Sequence, residues 1–91
     1  MHNAEKFGTL IGQSYNVSHP EKEFSLTLKE VKELSQSQNE NGGVSLMFAS
    51  QEKLLCPQGT YEFTGEGFNE AVFMVPVGET ENGILYEVVI N

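Results

Sequence analysis

The chain has 91 residues, a hydrophobic share of 38 %, aromatics at 10 % and a formal net charge of −8. That length suits one compact domain over residues 1–91, and the apolar share can bury a small core, which excludes wholesale disorder. All thirteen acids are Glu and all five bases are Lys. Without Arg there is no planar fork for bidentate phosphate recognition, and Lys6, Lys22, Lys29, Lys32 and Lys53 are sparse among acids, so nucleic acid and anionic membranes are excluded as partners.

The start, "MHNAEKFGTLIG", has neither a basic leader nor a sustained apolar run, and no stretch approaches the roughly 20 apolar residues of a spanning helix. Cytoplasmic synthesis without membrane insertion is the expectation. It leaves signal-independent export or surface assembly open. "NAEKFGTLIG" predicts a short helical turn capped by Asn3 and limited by Gly8 and Gly12. "SHPEKE" (18–23) is the first break. In "EFSLTLKEVKEL", Phe24, Leu26 and Leu28 alternate as in a strand. Phe24, Leu28 and Val31 also fit a helical stripe, but Leu26 would then point about 200° away. The reading is a strand to about Val31, bulged near Glu30.

"SQSQNENGG" (35–43) is the strongest loop. Val44, Leu46 and Phe48 then give "VSLMFAS" one core face, and Tyr61 and Phe63 do the same for "TYEFT". "CPQG" (56–59), "TGEG" (64–67) and "GETENG" (78–83) are breaks. "AVFMVPV" is apolar on both faces, as in a central strand or one covered by a partner. Pro76 places its end at an edge or bulge. The closing "ILYEVVIN" sets Ile84, Tyr86, Val88 and Ile90 against Glu87. Short runs and frequent breaks predict an all-β fold: a small antiparallel barrel or sandwich of about six strands with a short N-terminal helical turn.

"LLCPQGTYEF" holds the single cysteine. Pro57 biases Cys56 away from the helical region, and Gly59 suits a turn of positive φ. A functional thiol needs a nearby cation or helix N-terminus and a histidine base. Lys53 is the nearest base in sequence, His2 lies in the terminus, and His19 precedes Pro20 in a polar stretch. Cys56 therefore reads as a small semi-buried or surface thiol. Cys56, His2 and His19 cannot supply a four-ligand zinc site. "GETENG" and "NENGG" lack the alternating ligands of a calcium loop, and "TGEGF" lacks the strand-to-helix context of a phosphate cradle. Glu62, Glu66 and Glu70 offer a carboxylate pair for sugar hydrolysis, but exposed strand and loop positions explain them and so small a domain has little wall for a cleft. Tyr15, Tyr61 and Tyr86 suggest a binding patch, although Tyr61 and Tyr86 fit better beside the core with hydroxyls at its rim. No catalytic, cofactor-binding or metal residue is assigned.

Leu10, Gly12, Tyr15, Pro57 to Gly59, Tyr61, Pro76, Val77, Tyr86, Glu87 and Asn91 form an ordered pattern. It runs Leu-x-Gly-x-x-aromatic, Pro-Gln-Gly-x-Tyr, Pro-Val, Tyr-Glu and a terminal Asn. This pattern resembles a family of small bacterial proteins of unknown function, over nearly the whole chain. Cys56 stands where many members carry another residue, and "VVIN" replaces the usual aromatic before Asn. The resemblance implies association with phage-tail-collar-like proteins and a non-enzymatic accessory or assembly role. It transfers no catalytic residues.

The leading expectation is a protein-binding module without enzymatic activity, using "AVFMVPV" or a free edge strand near the chain end, with homo-oligomers compatible. An acidic inhibitor or immunity-type protein that masks a basic enzyme is the alternative. A Glu-dependent hydrolase ranks third.

Overall fold

The computed structural model describes residues 4–19, 22–34, 43–52 and 55–90. A short helix α1 (Ala4–Gly8) precedes six strands: β1 (Ser14–His19), β2 (Lys22–Leu34), β3 (Gly43–Ala49), β4 (Gly59–Thr64), β5 (Glu70–Glu79) and β6 (Ile84–Ile90). They close into an antiparallel barrel in the order β1-β2-β3-β6-β5-β4. The chain thus makes two meanders, β1–β2–β3 and β4–β5–β6. They are sewn together where β3 pairs with β6 and where Asn16–Ser18 of β1 pairs with Glu62–Thr64 of β4.

Alternation decides what enters the barrel. Tyr15 and Val17 of β1, Val44, Leu46 and Phe48 of β3, Tyr61 and Phe63 of β4, and Ile84, Tyr86, Val88 and Ile90 of β6 are all buried in one cluster. A pleated strand sends successive side chains to opposite faces, so these pairs and triplets share the inner face.

β2 shows why its residues also fit a helical stripe. Leu26 and Leu28 point inward, Leu28 pairs with Phe48, and the next partner pair is Glu30 with Met47. The extra residue shifts the parity of everything after it, so Val31 falls opposite Leu46 and packs on the core. A one-residue bulge has converted an even-numbered apolar face into an odd-numbered one. The strand continues to Leu34, beyond the predicted end near Val31.

The expected helical turn is α1, and Asn3 lies outside the described residues. The chain turns back through Gly12, whose φ of 97° favours glycine. The Gly12 amide donates to the Leu28 carbonyl at 2.8 Å, and the Leu28 amide donates to the Gln13 carbonyl at 3.0 Å. Phe7 meets Phe68 edge-on at 5.5 Å, closing the lower end of the barrel. Phe68 belongs to the β4–β5 turn and packs edge-on against Tyr15 and Phe63 within the core. Such edge contacts contribute about 0.5–1.5 kcal/mol each beyond area burial. The Tyr15 hydroxyl donates to the Glu66 carbonyl at 2.6 Å, so Tyr15 is core rather than part of a binding patch.

Two expectations need correction. Gly59 opens β4 opposite Met74 with no positive φ, so its role is strand entry rather than a left-handed turn. The free edge expected near the chain end is not there either, because β6 pairs with β3 on one side and β5 on the other. Pro76 does sit at a bulge, where the β5–β6 register shifts between Pro76 and Gly78. The predicted loop at 35–42 lies outside the described residues, and Gly43 begins β3.

At the upper end Ser50 ties β3 to the β5–β6 turn. Its amide donates to the Ile84 carbonyl, and its hydroxyl accepts from the Ile84 amide and donates to the Glu52 carbonyl. A Cβ on Gly83 would overlap the Ser50 carbonyl oxygen, and that neighbour is backbone. Gly83→Ala should therefore cost about 2–3 kcal/mol in urea unfolding. Gly8→Ala, which meets nothing within 4 Å, should leave stability unchanged or raise it by up to about 1 kcal/mol.

Candidate functional site

Just ahead of β4, Cys56 and Pro57 lie at the upper mouth of the barrel. Cys56 is 4 % exposed, more deeply placed than the semi-buried or surface thiol expected. Its amide donates to the Tyr86 hydroxyl at 3.0 Å, and the Tyr61 hydroxyl donates to the Pro57 carbonyl at 2.7 Å. Both tyrosines hold this segment from below, their rings in the core and their hydroxyls at its rim. Burial pushes the Tyr86 hydroxyl up to about 12; the hydrogen bond from the Cys56 amide works against that rise, while the Cys56 side chain and Tyr61 add to it. Burial also raises Tyr61, and Cys56 adds to that rise.

A cavity of about 280 Å³ opens beside this segment, lined by Phe24 and Ser25 of β2, by Cys56 and by Tyr86, with Lys22, Glu23 and Glu52 also around it. Lys22 thus shares a hollow with Cys56, a proximity that chain distance conceals. No histidine is among the described lining residues. His19 is the last residue of β1, exposed, with its ring 5.2 Å from that of Tyr61, so it is not the loop residue expected. His2 and Lys53 lie outside the described residues. The Cys–His arrangement weighed from sequence is not assembled from Cys56 and His19. Glu62 points out from β4, Glu66 occupies the lower turn, and Glu70 begins β5 opposite Phe63. Among the described residues no group of three or more His, Cys, Asp or Glu is placed to hold a metal ion. No helix of the described residues is long and apolar enough to cross a membrane.

The outer wall of β5 and β6 is the other feature. Met74 points in, while Phe73 and Val77 lie outside, 54 % and 48 % exposed. Val89 of β6 joins them at 42 %, and half-buried Val75 pairs with Glu87. The Ser45 hydroxyl donates to a Glu87 carboxylate oxygen, fixing a charge within this apolar strip. "AVFMVPV" announced the strip by being apolar at every position. Val89 was readable too, since the alternation that buries Val88 and Ile90 turns it outward. Leu55, 57 % exposed, carried no periodic signal because it belongs to no strand.

These features define a small closed six-stranded antiparallel barrel with an apolar outer strip and a narrow upper hollow. The chain belongs to the DUF6916 family, described as a domain of unknown function, whose family model matches residues 2–90. No curated protein and no solved structure matches the chain.

The tyrosine rims generate a pH dependence. A tyrosine whose hydroxyl is raised on folding ionises first in the unfolded chain, so it stabilises the fold fully below pH 10. That contribution is lost as pH rises toward the folded value. For Tyr86, between 10.0 and about 12, the loss should reach about 2 kcal/mol at the top of the window. Urea titrations across that range should show the decline, and Tyr86→Phe should reduce its slope. At neutral pH Tyr86→Phe strands the buried Cys56 amide and should cost about 1–3 kcal/mol.

Proposed function

We propose that this protein is a non-enzymatic protein-interaction module, an accessory to the assembly of a larger phage-tail-like or surface structure. The observation that carries the reading is the outer strip of Phe73, Val77 and Val89, three of the five large hydrophobic side chains exposed among the described residues. Contiguous exposed apolar surface on a small acidic protein is retained at a cost in solubility, and contact with another protein removes that cost. Closure of the barrel directs attention to this wall, because β6 has both neighbours in place and cannot accept a strand from outside. The resemblance to a family accompanying phage-tail-collar-like proteins supports the assembly setting. Cytoplasmic synthesis followed by incorporation into such a structure fits the same reading.

A second reading is an acidic inhibitor of a basic enzyme, favoured by one observation. Residues 54–91 carry six glutamates and no lysine, arginine or histidine. Association with a basic partner would then fall steeply as salt is raised. An interaction driven by the apolar strip alone would lose much less affinity over the same range.

Affinity capture from the native host, compared between wild type and a Phe73→Glu variant, tests the leading reading. Both side chains are exposed, so thermal melts of the two should coincide within a few degrees. Wild type should retain a partner encoded nearby that the variant loses about tenfold or more. Equal capture by both proteins would remove the strip from the interaction.

A further inference from the structure

β5 outruns β4. Pairing between them ends at Gly59 with Met74, whereas β5 continues to Glu79 against β6 alone. The chain leading into β4 does not fill the space as a strand. Instead a groove of about 440 Å³ is left there, lined by Leu55, Pro76, Gly78, Glu79 and Ile84. Val77, beside it in sequence and half exposed, links the groove to the outer strip.

We infer that this groove is the point of entry for the partner, and that its occupant is an extended segment of the partner protein, apolar at its centre and flanked by lysine or arginine. The inference rests on the protein-interaction reading above and deepens it. Three observations converge. The groove floor is aliphatic, from Leu55, Pro76 and Ile84, which suits apolar side chains. Along Val75–Glu79 β5 has, among the described residues, a strand on one side only, so an extended segment can run alongside the other. Among the described lining residues the charged one is Glu79, and Glu81 follows in the exposed turn, while Lys53, two residues before Leu55, lies outside the described residues. Complementary charge toward Glu79 and Glu81 comes from lysine or arginine on the visitor.

The same charge argues against a second copy as occupant. Two such grooves brought face to face would set Glu79 and Glu81 of one copy against the same pair of the other. An anionic lipid surface is repelled in the same way. Pro76 supplies no amide, so the visiting segment finds its main-chain partners beyond it, toward Gly78 and Glu79, and draws its specificity from side chains.

The test uses the full chain and two synthetic heptapeptides, each with a Leu-Val-Leu centre. One has lysines at both ends and the other has glutamates. In amide-resolved NMR titration the lysine peptide should shift Leu55, Val77, Gly78 and Glu79, and the glutamate peptide should shift none of them. Leu55→Lys, a change at an exposed side chain, removes an apolar contact and adds a repelling charge, and should weaken the lysine peptide about tenfold while its thermal melt stays that of wild type. Equal binding of the two peptides, binding mapped elsewhere, no binding at all, or a dimer in sedimentation that buries Leu55 would each overturn the assignment. Capture from the host separates the two levels. If Leu55→Lys and wild type retain the same partner while Phe73→Glu loses it, the groove fails and the interaction reading stands. If wild type retains nothing, both fail.

Discussion

Ring closure is the constraint on which the rest of this molecule depends, and it is made by very few residues. Asn16, Val17 and Ser18 pair with Thr64, Phe63 and Glu62, and this short seam joins the first meander to the fourth strand. Val17 and Phe63 face each other across it and are both buried, so the seam is held by packing as well as by backbone bonds. The β3–β6 seam opposite is longer, running from Val44 with Ile90 to Ala49 with Leu85. An antiparallel sheet with both lateral edges consumed in this way offers no general invitation to other strands. What it can offer is confined to outward side chains and to places where one strand overshoots its neighbour.

The ends of the barrel are closed by different chemistry. Below, aromatic rings do it: Phe7 from the helix and Phe68 from a turn complete a cluster around Phe48, whose ring lies 4.9 Å from Phe63 and 6.0 Å from Tyr15. Above, the closure is polar. Tyrosine hydroxyls and the Ser50 hydroxyl hold backbone groups of the Cys56–Pro57 segment and the β5–β6 turn. No buried side-chain nitrogen or oxygen among the described residues lacks a hydrogen-bond partner, as a small interior with little spare stability requires.

Most of the strand content was legible because one inner face imposes a period of two. Val44, Leu46 and Phe48, or Tyr86, Val88 and Ile90, could be assigned to a common face from spacing alone. The β2 bulge was legible for a subtler reason: Leu28 and Val31 are three apart, a spacing that a regular strand forbids on one face and a bulged one permits. Barrel against sandwich was not legible, since closure depends on which distant strands meet, and Val17 carries no mark of Phe63. At Gly59 the residue type permits a left-handed turn without requiring one, and tertiary pairing with Met74 decided the matter. Of the surface, the strip on β5 could be read from an unbroken apolar run. The groove could not, because it arises from unequal strand lengths.

In a ring of six, β2 and β5 stand three places apart in either direction and so face away from each other. β2 alternates Lys22, Lys29 and Lys32 with Glu23, Glu30 and Glu33 and is close to neutral, whereas the meander containing β5 is wholly anionic. The molecule is therefore lopsided as an electrical object. In the field of a cationic body it would rotate before touching, presenting its aliphatic flank first and wasting fewer collisions on the wrong orientation.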